Sequence, residues 1–398
     1  MTEHYTIFRV AADYPVGGKP SYGLQPNMYY LSKEQAKLGN DVRVIARLHD
    51  SQPRSERDGD VEVVRLESPF NLNAYRMLRS SLGETRHRAL IHTHSTSGLF
   101  LSAIKRPMGL PLFAHVHGSS RSAHMPVKMP IPLGEDYSES KMWYYYLRER
   151  SLWSSATRVL AVSECLKRDL IVSYGIPESK ISVVYNGVDA NLFHPIPGTD
   201  LPEQLKRLEG KRIILYVGHF GPRKGLIYLI QAMKEISKEV PDSVLVGIGG
   251  VPAWLGKVDY WGYLKKAISD LDIQDRVLLL DRVPNSELPK FYSRAGVFVL
   301  PSYYEAFAKV VLEAMSCARP SVITREGGPQ EAIVDGKNGI LIDYGSPKQL
   351  ASAILRILQD ESAARSMGRD ARKRIESDFT WTAVAARVNK AYLEATKQ

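Results

Sequence analysis

The feature that most constrains the fold of this chain is a rhythm that starts twice. Short β-branched runs alternate with stretches of helical period, first at 5–10, 42–46, 61–66, 89–92, 112–116, 159–162 and 181–184. The pattern then restarts at 213–217, 244–248, 277–280, 297–300, 321–323 and 340–342. Such alternation is the signature of parallel strands joined by helical crossovers. A chain of 398 residues exceeds one ordinary core and fits two domains. The expected fold class is therefore α/β: two tandem Rossmann-like, doubly wound parallel-sheet domains facing across a cleft. Between the two series, 191–210 holds Pro195, Pro197, Gly198 and Pro202 with little apolar period, as a linker would. The expected boundaries are 1–194 and 195–380, with a last helix at 381–398 packing back onto the first domain.

Composition excludes several classes. With 44% hydrophobic and 24% charged residues, each half can bury a core. No apolar run approaches the roughly 18–20 residues needed to span a bilayer, and the first ten residues lack signal-peptide character, so a cytoplasmic protein is expected. Cys165 and Cys317 have no metal or disulfide spacing and read as buried thiols. The net charge of +10 is spread over both halves without a basic, aromatic-studded stripe, which argues against a nucleic-acid partner. An anionic small molecule or membrane surface stays open. The stretch 71–88, with Arg76, Arg79, Arg86 and Arg88, reads either as a solvated helix or as a basic helix touching anionic lipid.

In doubly wound sheets, ligands lie at the carboxyl ends of the strands, so the chemistry is sought there. After the strand ending at Leu300 comes a loop with Glu305 and Ala308, then a helix beginning near Lys309 and carrying Val310 and Glu313. Free N–H groups at a helix start favour a diphosphate. Two carboxylates beside a phosphate call for neutral hydroxyls as targets, a sugar for one and a ribose for the other. The plainer reading makes Glu305 a helix-start acid and Glu313 a solvated helix residue. A second strand-to-helix loop runs from Gly218 through His219 to Arg223, Lys224 and Gly225. Glycines admit close backbone approach, and cations at a helix start oppose the dipole and so call for an anion.

In order, Glu305-x7-Glu313, Gly327-Gly328-Pro329-Gln330-Glu331 and Asp335-Gly336-Lys337-Asn338-Gly339 resemble the GT-B glycosyltransferases of family 4, as does most of the chain from Gly17–Gly18 to Phe379 and Trp381. That resemblance implies a retaining, metal-independent hexosyltransferase using a UDP- or GDP-sugar co-substrate, with no further cofactor. It places Gly17 and Gly18 against donor phosphate or sugar, Arg223 and Lys224 on the diphosphate, and Arg282 and Val283 at the base. His117, ending a strand beside His115, is either structural or placed beside the reacting sugar. His94, Ser95 and Asn186 become acceptor-side candidates, with His92 and His115 as neighbours; the hydroxyl acceptor is unspecified.

Ala308 and Ala318 stand where the family commonly has Gly, so strain is expected at Ala308 if it needs positive φ. Asp58-Gly59-Asp60 and Asp270-Leu271-Asp272 imitate a metal-binding Asp-x-Asp but read as a turn and a helix end. Ser163–Glu164 reads as a helix cap. The rival functions are a sugar phosphorylase of related fold and an inactive nucleotide-sugar binder.

Overall fold

The computed structural model describes residues 4–16, 23–49, 52–68, 72–80, 82, 88–94, 101, 103, 108–120, 139–197, 202–252 and 259–397, with 72–74 and 139–141 as backbone. It divides into two compact units.

In the first, a sheet runs β3-β4-β2-β1-β5-β6-β7-β8. The strands are β1 (Thr6–Val10), β2 (Asp41–Arg47), β3 (Ser55–Asp58), β4 (Val61–Leu66), β5 (Ala89–His94), β6 (Leu112–Val116), β7 (Arg158–Ala161) and β8 (Ile181–Val183). Central β1 is buried along its whole length, as expected of a strand covered on both faces. Even Arg9 is fully buried: its guanidinium donates to Ser32 Oγ and Gln35 Oε1 of helix α1 (Gln25–Lys37). Strands β1 and β5 are parallel, and the order in which successive strands join the sheet reverses between them, which sets a crevice at their carboxyl ends.

The sheet is not purely parallel. Strand β3 pairs antiparallel with β4. Its sequence, Ser-Glu-Arg-Asp, carries no apolar alternation because it is a half-exposed edge, a place where charge discourages further pairing. Helix α2 spans Leu72–Ser80, with Arg76 and Arg79 exposed. Leu78 is buried, so that apolar side chain serves the core rather than a lipid surface. Arg86 lies outside the described residues. Helices α3 (Glu139–Ser155) and α4 (Glu164–Tyr174) cover β6 and β7. Ser163 caps α4, accepting from Leu166 N–H at 3.0 Å.

The second unit's sheet runs β11-β10-β9-β12-β13-β14, all parallel. Its strands are β9 (Arg212–Val217), β10 (Ser243–Ile248), β11 (Val277–Leu280), β12 (Ala295–Leu300), β13 (Ser321–Thr324) and β14 (Ile340–Ile342). Its helices are α5 (Leu226–Glu239), α6 (Tyr260–Asp270), α7 (Leu288–Arg294), α8 (Lys309–Ser316), α9 (Pro347–Gln359) and α10 (Glu361–Arg374). Here the order of strand addition reverses between β9 and β12.

The division falls at Gly187/Val188, not at 194/195. Val188 N–H donates to Phe379 O, and Arg372 Nη1 donates to Phe193 O at 2.8 Å and Ser316 O at 2.7 Å. Ile196 N–H donates to Ser293 Oγ at 3.0 Å. The segment taken for a linker therefore begins as a strap on the second unit. Trp381–Gln398 belongs to the first unit, where helix α11 (Trp381–Thr396) packs on α1. Trp381 stacks on Tyr30 with centroids 5.8 Å apart, and Gln35 Nε2 donates to Asn389 Oδ1 at 2.7 Å.

Candidate active site

In the second unit, adjacent strands β9 and β12 deliver both motif loops to one sheet edge. Gly225, at φ +69°, makes their approach possible, since a Cβ there would lie 1.9 Å from Pro301 O. Tyr303 N–H then donates to Arg223 O at 2.8 Å, tying loop to loop. Glu305 is held from its other side: Gly328 N–H donates to Glu305 O at 2.8 Å, and a side chain at Gly327, φ +80°, would strike the same oxygen at 2.4 Å. The Gly327–Gly328 pair is thus a backbone cradle for Glu305.

With both loops fixed, Lys224 Nζ forms an ion pair with Glu305 Oε1, each side chain under one-fifth exposed. His219 is at the hub of this charge. Burial, then Lys224, lowers its pKa to about 4 against the opposing pull of Glu305, with Arg223 and Arg282 adding to the fall. His219 is a neutral ring among cations. Arg282 itself is exposed just beyond β11, beside half-exposed Val283.

Helix α8 starts at this edge with no side-chain cap. Ala308 precedes it at φ −76°, ψ 110°, so the expected strain is absent: this position needs only extended backbone, which any residue adopts. Burial lowers the pKa of Lys309 to about 8, opposed by Glu313 one turn on. Glu313 is no solvated residue. Tyr292 OH donates to its Oε2 at 2.9 Å, while burial pushes its carboxyl upward against Tyr292 and Lys309.

In the first unit, β5 and β6 place four imidazoles in contact. His92 and His94 stack at 4.6 Å, His115 and His117 at 4.5 Å, and His94 and His117 at 5.2 Å. Burial keeps His92 and His94 well below the usual pKa, helped at His92 chiefly by Arg9 and at His94 chiefly by the neighbouring imidazoles, and burial with Arg9 takes His115 to about 3. Asn27 Nδ2 reaches Asn186 Oδ1 at 2.8 Å and His117 Nδ1 at 2.9 Å, and His117 Nε2 meets His94 Nδ1 at 2.9 Å. With the Asn27 amide donating, His117 must carry its proton on Nε2 and donate it to His94. His94 and Asn186 are buried members of this chain, so they support His117 rather than present a surface of their own. Gly17, Gly18 and Ser95 lie outside the described residues.

Both halves match known families, glycosyltransferase family 4 over residues 23–192 and glycosyl transferases group 1 over 199–374. A D-inositol 3-phosphate glycosyltransferase of Thermobispora bispora is 30% identical over 397 residues, covering 94% of this chain and 90% of that one. This chain belongs to the group 1 glycosyltransferases. Its GT-B fold matches a sucrose-phosphate synthase from Thermosynechococcus elongatus with a TM-score of 0.76 at 22% identity, over 98% of both chains. Anabaena HepE in complex with UDP gives 0.71 at 19% identity, over 98% of this chain and 100% of that one.

Within this glycosyltransferase, sequence reasoning missed Asn27, His219 and Tyr292 as site residues. His219 was legible in principle, lying four residues before Arg223 in the same loop. Asn27 and Tyr292 act through contacts 159 and 21 residues away, which no local pattern marks. The Asp-x-Asp lookalikes are structural: Asp58 pairs with Lys33, and Asp270 with Lys266. His92, His94 and His115 bring ring nitrogens within 4.8 Å of one another. Buried Arg9 shares that core, however, and its charge opposes a dication in so dry a place. No helix of the described residues is long and apolar enough to cross a membrane.

Proposed function

We propose that this glycosyltransferase moves a hexose-type sugar from a nucleoside-diphosphate sugar, UDP- or GDP-linked, to a hydroxyl acceptor, with retention and without a metal. One observation carries the reading: the carboxyl edge of β9 and β12 gathers Arg223, Lys224 and Lys309 with Glu305 and Glu313 at an uncapped helix start. Three cations and free N–H groups suit a diphosphate. Two carboxylates suit hydroxyls.

The Lys224–Glu305 pair gives the reading a mechanism. A sugar hydroxyl donating to Glu305 takes over the contact that Lys224 supplies, leaving Lys224 to a phosphate oxygen. Sugar and diphosphate recognition then reinforce each other. As the bond to the sugar breaks, negative charge grows on the departing diphosphate, and Arg223, Lys224 and the α8 amides meet it. Removing one such preorganised partner costs roughly 10²–10³ in rate. The acceptor hydroxyl attacks from the face the diphosphate leaves. In the first unit, His117 is the proposed catalytic contribution, its ring fixed by Asn27 and His94, with Asn186 holding Asn27 in turn. The UDP bound by the HepE neighbour supports a nucleotide donor.

Calorimetric titration in chelator with nucleoside diphosphates and their sugar conjugates tests this, repeated on Glu313→Ala and Arg223→Ala. Selective binding weakened by both substitutions, tighter for the conjugate than for the bare diphosphate, is expected. Binding that needs a divalent ion, or that ignores both substitutions, refutes the assignment.

A further inference from the structure

Parallel strands have two edges, and the site above uses only one. At the amino-terminal edge of the second unit's sheet lies a cavity of about 650 Å³. It is floored by the starts of β9 and β12 and the residues before β13, and walled by the end of α9 and the first turns of α10. That volume is in the range of small-molecule pockets.

Its charge is lopsided. Lys211, Arg212, Arg294, Arg319, Arg365 and Arg369 line it, with Glu361 the sole acid among the lining residues. Arg365 pairs with Glu361, and Arg212 with Asp242 at 3.2 Å. The other four have no carboxylate partner among the described residues. Arg294 Nε is buried without a hydrogen-bond partner. Arg319 donates to backbone oxygens of Cys317 and Ala295 at 3.0 and 3.1 Å, which position its guanidinium but leave the charge unpaired. Burial lowers the Arg319 pKa, as does Arg294, against the opposing effect of Cys317. The Arg294 and Arg319 charges repel each other, and an anion bound to both reverses the sign of that interaction. Apolar Ile213, Ile357 and Leu358 complete the lining.

We propose that this cavity is a second ligand site, binding a phosphate-bearing anion on the Arg294 and Arg319 guanidiniums, with Lys211 and Arg369 at its mouth. The forked donors of arginine match phosphate oxygens in pairs. Six-residue strand β9 separates the cavity from the motif loops by about 20 Å, so both sites can be filled at once. The phosphate belongs either to a soluble molecule or to a lipid headgroup, and the chemistry of the contact is the same.

The full chain is titrated with inorganic pyrophosphate, and is cosedimented with phosphatidylglycerol and, separately, phosphatidylcholine vesicles. Three proteins are compared: wild type, Arg223→Ala/Lys224→Ala, which disables the motif loop, and Arg294→Gln/Arg369→Gln. Pyrophosphate binding that survives in the motif-loop variant and weakens at least tenfold in the edge variant is expected for a soluble ligand. The same pattern with phosphatidylglycerol, and not with phosphatidylcholine, assigns a headgroup. Binding lost with the motif loop and retained in the edge variant overturns the proposal, as does the absence of binding to either probe. Thermal midpoints report folding, and Arg369→Glu, at an exposed mouth position, gives a second variant with the same expected direction.

Discussion

The charge on Lys309 gives the proposed donor site a pH dependence that can be worked out in advance. Burial lowers its pKa to about 8, so near that pH the unliganded site is half charged. A diphosphate at the start of α8 stabilises the ammonium form, so the bound state holds more protons than the free one and binding must take protons up. Uptake due to Lys309 should be about one-tenth of a proton at pH 7 and about one-half at pH 8. The sign follows: donor affinity falls as pH rises through about 8, by roughly tenfold between pH 7 and pH 9. His219 does not blur the result, because its pKa of about 4 leaves it neutral throughout. Calorimetry of nucleoside diphosphate binding at pH 8, in buffers of differing ionisation enthalpy, measures the uptake directly. Lys309→Met should abolish it and flatten the affinity profile. Equal uptake in wild type and variant would refute the placement of the diphosphate beside Lys309.

Three further outcomes follow from particular contacts. Tyr292 OH holds the Glu313 carboxyl down against burial, so Tyr292→Phe should raise its pKa and move the acidic limb of the pH–kcat/KM profile to higher pH; an unmoved limb would show that Glu313 does not act in its ionised form. Asn27→Leu removes the amide that donates to His117 Nδ1 and to buried Asn186 Oδ1, two hydrogen bonds worth about 1–3 kcal/mol in denaturant unfolding, and lowers kcat; full activity would remove His117 from the chemistry. Ala318 is held at φ +55°, where a side chain is strained, so Ala318→Gly should raise stability by about 0.5–1 kcal/mol after the entropy of glycine is deducted, seen as a higher urea midpoint at constant slope.

Punctuation of the chain was legible wherever structure is local. Leu300, Glu305 and Lys309 read as strand, loop and helix because a buried run, a polar gap and an amphipathic run follow in order, and Gly225 announced a backbone position that only glycine fills. Ala308 shows the limit of pattern: its replacement of a familiar glycine suggested strain, while the helix start needed only an extended conformation there. What stayed hidden was decided by distant partners. Strand β3 has no apolar alternation, since its pairing with β4 is what makes it a strand. The domain boundary moved because Arg372, about 180 residues downstream, ties the carbonyls around Phe193 to the second unit.

Distant partners also separate the two carboxylates of the Glu-x7-Glu motif. Spacing alone made them look alike. In the folded protein Glu305 is ion-paired to Lys224 on a loop cradled by Gly327 and Gly328, whereas Glu313 is desolvated beside Tyr292. In the proposed mechanism Glu305 exchanges Lys224 for a sugar hydroxyl. Burial raises the pKa of Glu313, and each hydrogen-bond donor it gains favours the ionised form. Under the proposed donor assignment, a ribose hydroxyl donating to Glu313 would do more than fill a contact: it would stabilise the charge that burial opposes. The two residues of one motif answer to opposite electrostatic demands, and that difference comes from Tyr292 and Lys224, neither of which lies within the motif.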